Sequence, residues 1–391
     1  MTPFKSFILF LCFYLPAVAF QANAEPAESL TPAVPSIAAS AFILQDFHTG
    51  KVLADNNADT KLAPASLTKI MTVYVAFKEL GKGHLHLTDL ATISQKARDA
   101  TGSRMFLETN QQVPIEDLLK GIIIQSGNDA SIALAEHIAA QESTFADMMN
   151  QQAARLGMKN THFTNSDGLP VENHYTTARD LAILTTALIN EFPDYYPWFS
   201  QKEFTFNKIT QHNRNLLLGR DESVDGVKTG HTDDAGYCLV ASSLREGMRL
   251  ISVVMGTKSS KARADENQKL LNYGFRFFES HRLYEGKKPL KEAKLWKGSE
   301  STIPLGVAED LYATIPRRHY DELKATIVVD KKITAPVKEG DKFGSVSVAL
   351  KGEVVSQKDL IALKSIEKGN IFRRAYDSIM MMMMMEKSDD K

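Results

Sequence analysis

Ser66-Leu67-Thr68-Lys69 sets a hydroxyl and an amine three residues apart. On a helix both project from one face, about one turn apart. That pairs a nucleophile with a base in reach. Leu67, Ile70, Met71, Val73 and Val75 surround the pair with apolar side chains. Burial among them disfavours an ammonium ion, so Lys69 is expected to be partly neutral and able to take the proton of Ser66. A place at a helix N-terminus also brings backbone N–H groups and a positive dipole end to developing negative charge. The same spacing recurs at Ser365 to Lys368 and at Ser388 to Lys391, but in a domain junction and a polar tail, which are poor places for a buried amine. Two further motifs accompany the first. Ser126-Gly127-Asn128 lies between apolar helical segments, where a turn can aim a hydroxyl and an amide into a cleft, and Lys228-Thr229-Gly230 ends a strand, where a glycine permits close approach of a substrate backbone.

The elements that must position these residues follow from hydrophobic period. Residues 65–82 read as a helix apolar on most sides, hence central and buried. Residues 41–44 and 51–53 flank Asp46-Phe47-His48-Thr49-Gly50 as a hairpin. Helices are expected over 114–125, 128–140, 143–156 and 177–191. Strands are expected over 224–229, 236–244 and 249–256, the last two joined by a turn at Glu246-Gly247, and a helix over 261–278 follows. Strands, helices, strands and a helix in that order give an α+β fold, an antiparallel sheet packed with helices. Residues 25–282 form this catalytic domain. Short β-rich runs at 323–329, 343–350 and 352–355, separated by turns, predict a small all-β domain over 283–367. In 368–391, Phe372, Ala375, Tyr376, Ile379 and Met383 line one helical face and Arg373, Arg374, Asp377 and Ser378 another, the pattern of a helix lying in a membrane interface.

Composition bounds the function. The chain has 391 residues, with 46 basic and 47 acidic side chains and a formal charge of -1, so nucleic-acid binding by bulk positive charge is excluded. Lys5, an apolar run over 7–20 and Ala22-Asn23-Ala24 read as a removed secretory signal over 1–24, so the mature chain is expected to be exported, and with its tail helix to lie in the periplasm against the outer face of the inner membrane. Removal leaves Cys238 as the single cysteine, read as a buried structural thiol, so neither an intrachain disulfide nor a cysteine-ligated metal site is expected. His84 and His86 lack a third ligand and read as exposed imidazoles, while His162 and His174 read as structural loop residues. Asp167-Gly168 reads as a turn near the cleft without chemistry of its own.

The three motifs, in this order, resemble the serine penicillin-recognising acyl transferases of β-lactamase and transpeptidase fold. Pro64-Ala65-Ser66-Leu67-Thr68-Lys69-Ile70-Met71-Thr72, Gln125-Ser126-Gly127-Asn128-Asp129-Ala130, Asn160-Thr161-His162-Phe163, Asp167-Gly168-Leu169, Tyr175-Thr176-Thr177-Ala178-Arg179-Asp180 and Val224-Asp225-Gly226-Val227-Lys228-Thr229-Gly230-His231-Thr232 are similar to the low-molecular-mass D-alanyl-D-alanine carboxypeptidases. The resemblance implies that Ser66 attacks the D-Ala-D-Ala carbonyl of a peptidoglycan stem pentapeptide, that Lys69 is the general base and that Ser126 relays protons. It further implies that Asn128 holds the acyl amide, that Lys228 keeps the site positive, and that Thr229 and Gly230 belong to the substrate-binding strand, with Thr229 on the substrate carboxylate and Arg263 assisting. The N–H groups of Ser66 and His231 would form the oxyanion hole. No cofactor or metal is implied, and β-lactam antibiotics would acylate Ser66. Two departures stand out: a short stretch before Met105-Phe106-Leu107, and a polymethionine tail in place of an aromatic-rich anchor. A catalytically idle wall-binding protein, a DD-endopeptidase and a class A β-lactamase are the alternatives. The last needs a Glu-x-x-Leu-Asn segment that the chain lacks between its second and third motifs.

Overall fold

Alternation in Ala41–Asp46 sends Ala41 and Ile43 to one face of a sheet and Phe42 and Leu44 to the other, and all four are buried. The sheet they join is therefore covered on both sides. The computed structural model describes residues 30–386 of the chain, with side chains through Met383, and the unit beginning at Ala33 is compact. The proposed signal over 1–24 lies outside the described residues. Five antiparallel strands run in the spatial order Val52–Asn56, Ala41–Asp46, Met248–Thr257, Gly236–Arg245 and Val224–Thr232, which leaves the Lys-Thr-Gly strand at an edge. Helix Ser260–Phe277 packs on one face through Leu270 and Leu271 against Leu44 and Leu250. Helices Lys69–Gly81 and Ala178–Glu191 cover the other face, where Ile70, Val73 and Leu184 join Ile43, Val240 and Val253 in one core.

The helices expected from period stand as Ile115–Lys120, Asn128–Ala139, Glu142–Leu156 and Ala178–Glu191. Two short antiparallel pairs have no counterpart in the period: Leu90–Thr92 with Gln112–Pro114, and Glu203–Phe206 with Ile209–His212. Helix Ser260–Phe277 runs directly into strand Phe278–Tyr284, which pairs with Leu311–Pro316, so the change of texture read near residue 282 falls inside a strand. Beyond it, a six-stranded sheet carries a core of Leu295, Ile303, Leu305 and Leu360. Gly352, read as part of a strand, is instead in the turn with Lys351, both at positive φ, and the following strand is Glu353–Ala362. The two regions meet where Lys51 Nζ donates to the Thr314 carbonyl at 3.0 Å and His48 stacks on Tyr312 at 4.0 Å.

Candidate active site

The nucleophile motif does not begin in an α-helix. Ala65–Thr68 forms a single 3-10 turn, with Ala65 at φ 48°, and the α-helix starts at Lys69. The turn is held against two glycines, Gly230 closely and Gly168 with no room for a side chain. A Cβ on Gly230 would meet the Pro64 carbonyl at 3.0 Å, and a Cβ on Gly168 would lie 1.9 Å from the Ala65 carbonyl oxygen. Gly168 also sits at φ +86°, where other residues are strained. Gly168→Ala is expected to lower acylation about 10- to 100-fold and to lower Tm, because the clash must be relieved by moving the Ser66 turn. Stopped-flow acylation with a thermal melt checks this.

Lys69 is 1% exposed and its amine is surrounded by acceptors. Nζ donates to Asn128 Oδ1 at 2.7 Å and to the Asp167 carbonyl at 2.5 Å, and it lies 3.0 Å from Ser66 Oγ. Burial pushes its pKa down to about 8; Asp167, Asp129 and Glu142 pull it back up, and Arg214 adds to the lowering. A neutral amine has two N–H bonds and one lone pair. Asn128 and Asp167 use the two donors, so the lone pair is left for the Ser66 hydroxyl.

Ser126 follows a π-turn over Gly121–Gln125 and sits in the left-handed region at φ 70°. Asn128 opens the next helix, and its Nδ2 donates to the Thr101 carbonyl at 2.6 Å, which keeps Oδ1 turned to Lys69. The neighbouring Asp129 accepts from the N–H groups of Met105 and Leu107 and so holds the segment opposite. On the edge strand, Lys228 is 3% exposed and its Nζ donates to the Thr229 carbonyl at 3.1 Å. Burial, with Lys69, Arg214 and Arg263 adding, pushes the Lys228 amine well below its ordinary range. Arg263 donates through Nη1 to the Gly230 carbonyl at 3.0 Å and through Nη2 to Ser260 Oγ at 3.3 Å. Burial brings its pKa down to about 10.

These residues converge on a cleft of about 630 Å3 lined by Ser66, Ser126, Asn128, Thr229, Gly230, His231 and Arg263. Lys69 and Lys228 are buried beside its wall. Three features escaped the sequence. The turn at Asp167-Gly168, read as chemically silent, supplies the carbonyl that binds Lys69 and lines the cleft. Arg214 lines the cleft from a loop without a recognisable motif. Tyr237, opposite His231 in the ladder, stacks on it at 3.9 Å beneath Arg263. The period-2 pairing of two adjacent strands was the only signal that could have located Tyr237. His84 pairs with Glu79 and His86 with Asp89, each on the surface. Cys238 is buried, and burial raises its thiol to about 11, in keeping with a structural role. His174 is held neutral by burial, which with His162 and Lys69 pushes it down to about 4. Its Nδ1 accepts from the Thr164 N–H, so Nε2–H donates to Thr68 Oγ1 at 2.8 Å.

Comparison with known proteins agrees with this geometry. Residues 28–259 match the family model described as D-alanyl-D-alanine carboxypeptidase, and residues 278–368 match that of the penicillin-binding protein 5 C-terminal domain. D-alanyl-D-alanine carboxypeptidase DacC of Escherichia coli is 45% identical over 360 residues, 90% of each chain. The DacA protein of Haemophilus influenzae is 41% identical over 377 residues, 95% of each chain. The crystal structure of penicillin binding protein 5 from Haemophilus influenzae superposes with a TM-score of 0.82 at 41% identity, covering 86% of this chain and all of that one. With both matched regions in sequence and the three motifs around one cleft, the chain belongs to the D-alanyl-D-alanine carboxypeptidase family.

Proposed function

We propose that this chain removes the terminal D-alanine from peptidoglycan stem pentapeptides through an acyl-enzyme on Ser66. The observation that carries the reading is the Lys69 amine, 3.0 Å from Ser66 Oγ, with its pKa lowered and its two donors engaged elsewhere. As Ser66 Oγ bonds to the penultimate carbonyl carbon, its proton passes to Lys69. The oxyanion is stabilised by the N–H groups of Ser66 and His231. Ser126 relays a proton to the departing nitrogen, the C–N bond breaks and D-alanine leaves. Water then cleaves the ester and returns the proton to Ser66. The substrate lies along the free edge of Val224–Thr232 as an added strand, with its acyl amide at Asn128. Its terminal carboxylate sits at Thr229. Arg263 and Arg214 pair with no carboxylate among the described residues, which leaves their charge for an anionic ligand. β-Lactams occupy the same place and acylate Ser66.

The test is release of free D-alanine from a D-Ala-D-Ala peptide together with intact-mass analysis after penicillin. The expected result is stoichiometric D-alanine and one adduct, mapped to the peptide containing Ser66. Rapid turnover of penicillin without an adduct would favour a β-lactamase instead.

Export and membrane attachment belong to the same proposal. Helix Ile371–Glu386 exposes Phe372, Tyr376, Ile379 and Met383, while the Lys297 N–H donates to Asp377 on its other face. No described helix is long and apolar enough to cross a membrane, so this one would lie in the interface. Deleting 371–391 is expected to release the protein from vesicles containing anionic lipid without loss of D-alanine release, and Edman sequencing of the exported protein is expected to begin at Glu25. Equal vesicle binding by the truncated chain would refute the anchor.

A further inference from the structure

The carbonyl that holds Lys69 belongs to a loop, and the loop's own support lies on the far side of the cleft wall. Ser166, fully buried, precedes Asp167. Its N–H donates to Glu142 Oε1 at 2.9 Å and its hydroxyl donates to the same oxygen at 2.6 Å. The Ser166 carbonyl in turn accepts from Thr72 Oγ1 at 2.6 Å, one turn along from Lys69 on the nucleophile helix. Both backbone polar groups of Ser166 are thus fixed, one by helix Glu142–Leu156 and one by helix Lys69–Gly81. Ser166 thus anchors the chain just before Asp167, and the peptide that carries the Asp167 carbonyl is held from its other end, where the Gly168 N–H donates to Asn165 Oδ1 at 2.8 Å.

Glu142 lies in the first turn of its helix, where a carboxylate ordinarily serves its own helix's free N–H groups. Here it turns outward. Its second oxygen, Oε2, meets Lys96 Nζ at 2.7 Å, and the Glu142 side chain is 11% exposed. Burial pushes its carboxyl up, but the hydrogen bonds from Lys96 and Ser166 outweigh burial, so it stays ionised.

We propose that Glu142, braced by Lys96, is a positioning residue for acylation: through Ser166 it fixes the Asp167 carbonyl that orients the Lys69 amine toward Ser66. This rests on Lys69 acting as the base. The charged groups around Lys69 are Asp167, Asp129 and Glu142 on the acidic side, and Arg214 and Lys228 on the basic side, with neutral His174 near the same loop.

The experiment measures penicillin acylation, kcat, KM and Tm for wild type, Glu142→Ala, Glu142→Gln and Ser166→Ala. Glu142→Ala is expected to slow acylation and kcat about 10- to 100-fold, with KM within about twofold, because the base is misaimed while substrate contacts persist. Glu142→Gln keeps an oxygen for Ser166 but turns an amide NH2 toward Lys96, and is expected to fall between wild type and Glu142→Ala. Its acid limb is expected to move to lower pH, because a carboxylate that favours the ammonium form is gone. Ser166→Ala, which removes only the hydroxyl, is expected to slow acylation about 3- to 10-fold and remains informative if Glu142→Ala does not fold. Wild-type acylation by Glu142→Ala, or by Ser166→Ala where Glu142→Ala is unfolded, overturns the proposal. A Glu142→Gln enzyme as slow as Glu142→Ala with an unmoved limb also overturns it. A wild-type protein that penicillin does not label would instead sink the reading on which the proposal rests.

Discussion

Ser66→Ala is expected to release no measurable D-alanine and to form no penicillin adduct, with Tm unchanged within a few degrees. Removing a serine nucleophile from a concerted site costs on the order of 10^6-fold in turnover, because the remaining groups have nothing to activate. The fold should tolerate the change. Ser66 occupies a 3-10 turn that Leu67, 0% exposed, fixes from the core side, and the hydroxyl's contact is with Lys69. A variant that still binds penicillin reversibly but is never acylated would show that the cleft survives without the chemistry. This experiment also removes the idle-binder alternative, since an idle protein would not differ from its Ser66→Ala variant.

The second large effect is expected for Lys69→Met, which keeps an unbranched chain of similar size and removes the amine. General-base assistance is worth about 10^2- to 10^4-fold, so acylation should fall by that range while Ser66 stays in place. The wild-type rate should rise with pH through about 8 as the amine loses its proton, and that limb should be missing from the variant. Stability gives an independent reading. The folded-state pKa lies below the ordinary value of 10.5, so the unfolded chain binds more protons between about 8 and 10.5. Below pH 8 the buried amine therefore costs about 3 kcal/mol, and wild-type stability rises as pH increases across that window. The stability of Lys69→Met relative to wild type should accordingly decline as pH rises from 8 to 10.5. Lost hydrogen bonds to Asn128 and Asp167 shift that difference at all pH values but do not give it this slope.

The sequence made the side-chain chemistry legible and left the backbone chemistry hidden. Ser66, Lys69, Ser126, Asn128, Lys228 and Thr229 carry the chemistry proposed for them in their functional groups, and the apolar helix around Lys69 announces a buried amine. The Asp167 carbonyl has no such signature, since any residue offers a carbonyl. Only the fold shows that it faces the Lys69 amine, from a turn in which Gly168 holds a positive φ and Ser166 is bonded to Glu142. Arg214 and Tyr237 reach the cleft through a loop and a strand register, neither of which a local pattern encodes. The same limit applies to the fold. The strand pair Leu90–Thr92 and Gln112–Pro114 has three residues a side, too few for an alternation to register. The passage from helix Ser260–Phe277 to strand Phe278–Tyr284 falls inside the run Phe275-Arg276-Phe277-Phe278, and the nearest glycine, Gly274, lies within the helix, so the aromatic run reads as helix to its end.

The account depends on an amine beside Ser66 that gives up its proton near pH 8 instead of near 10.5. Its most direct test is the pH profile of the second-order rate of penicillin acylation, from pH 5 to pH 10. The profile is expected to rise through a limb near 8 in the wild type, and that limb is expected to be missing in Lys69→Met. A limb near the ordinary lysine value of 10.5, or a limb near 8 that persists in Lys69→Met, would contradict it.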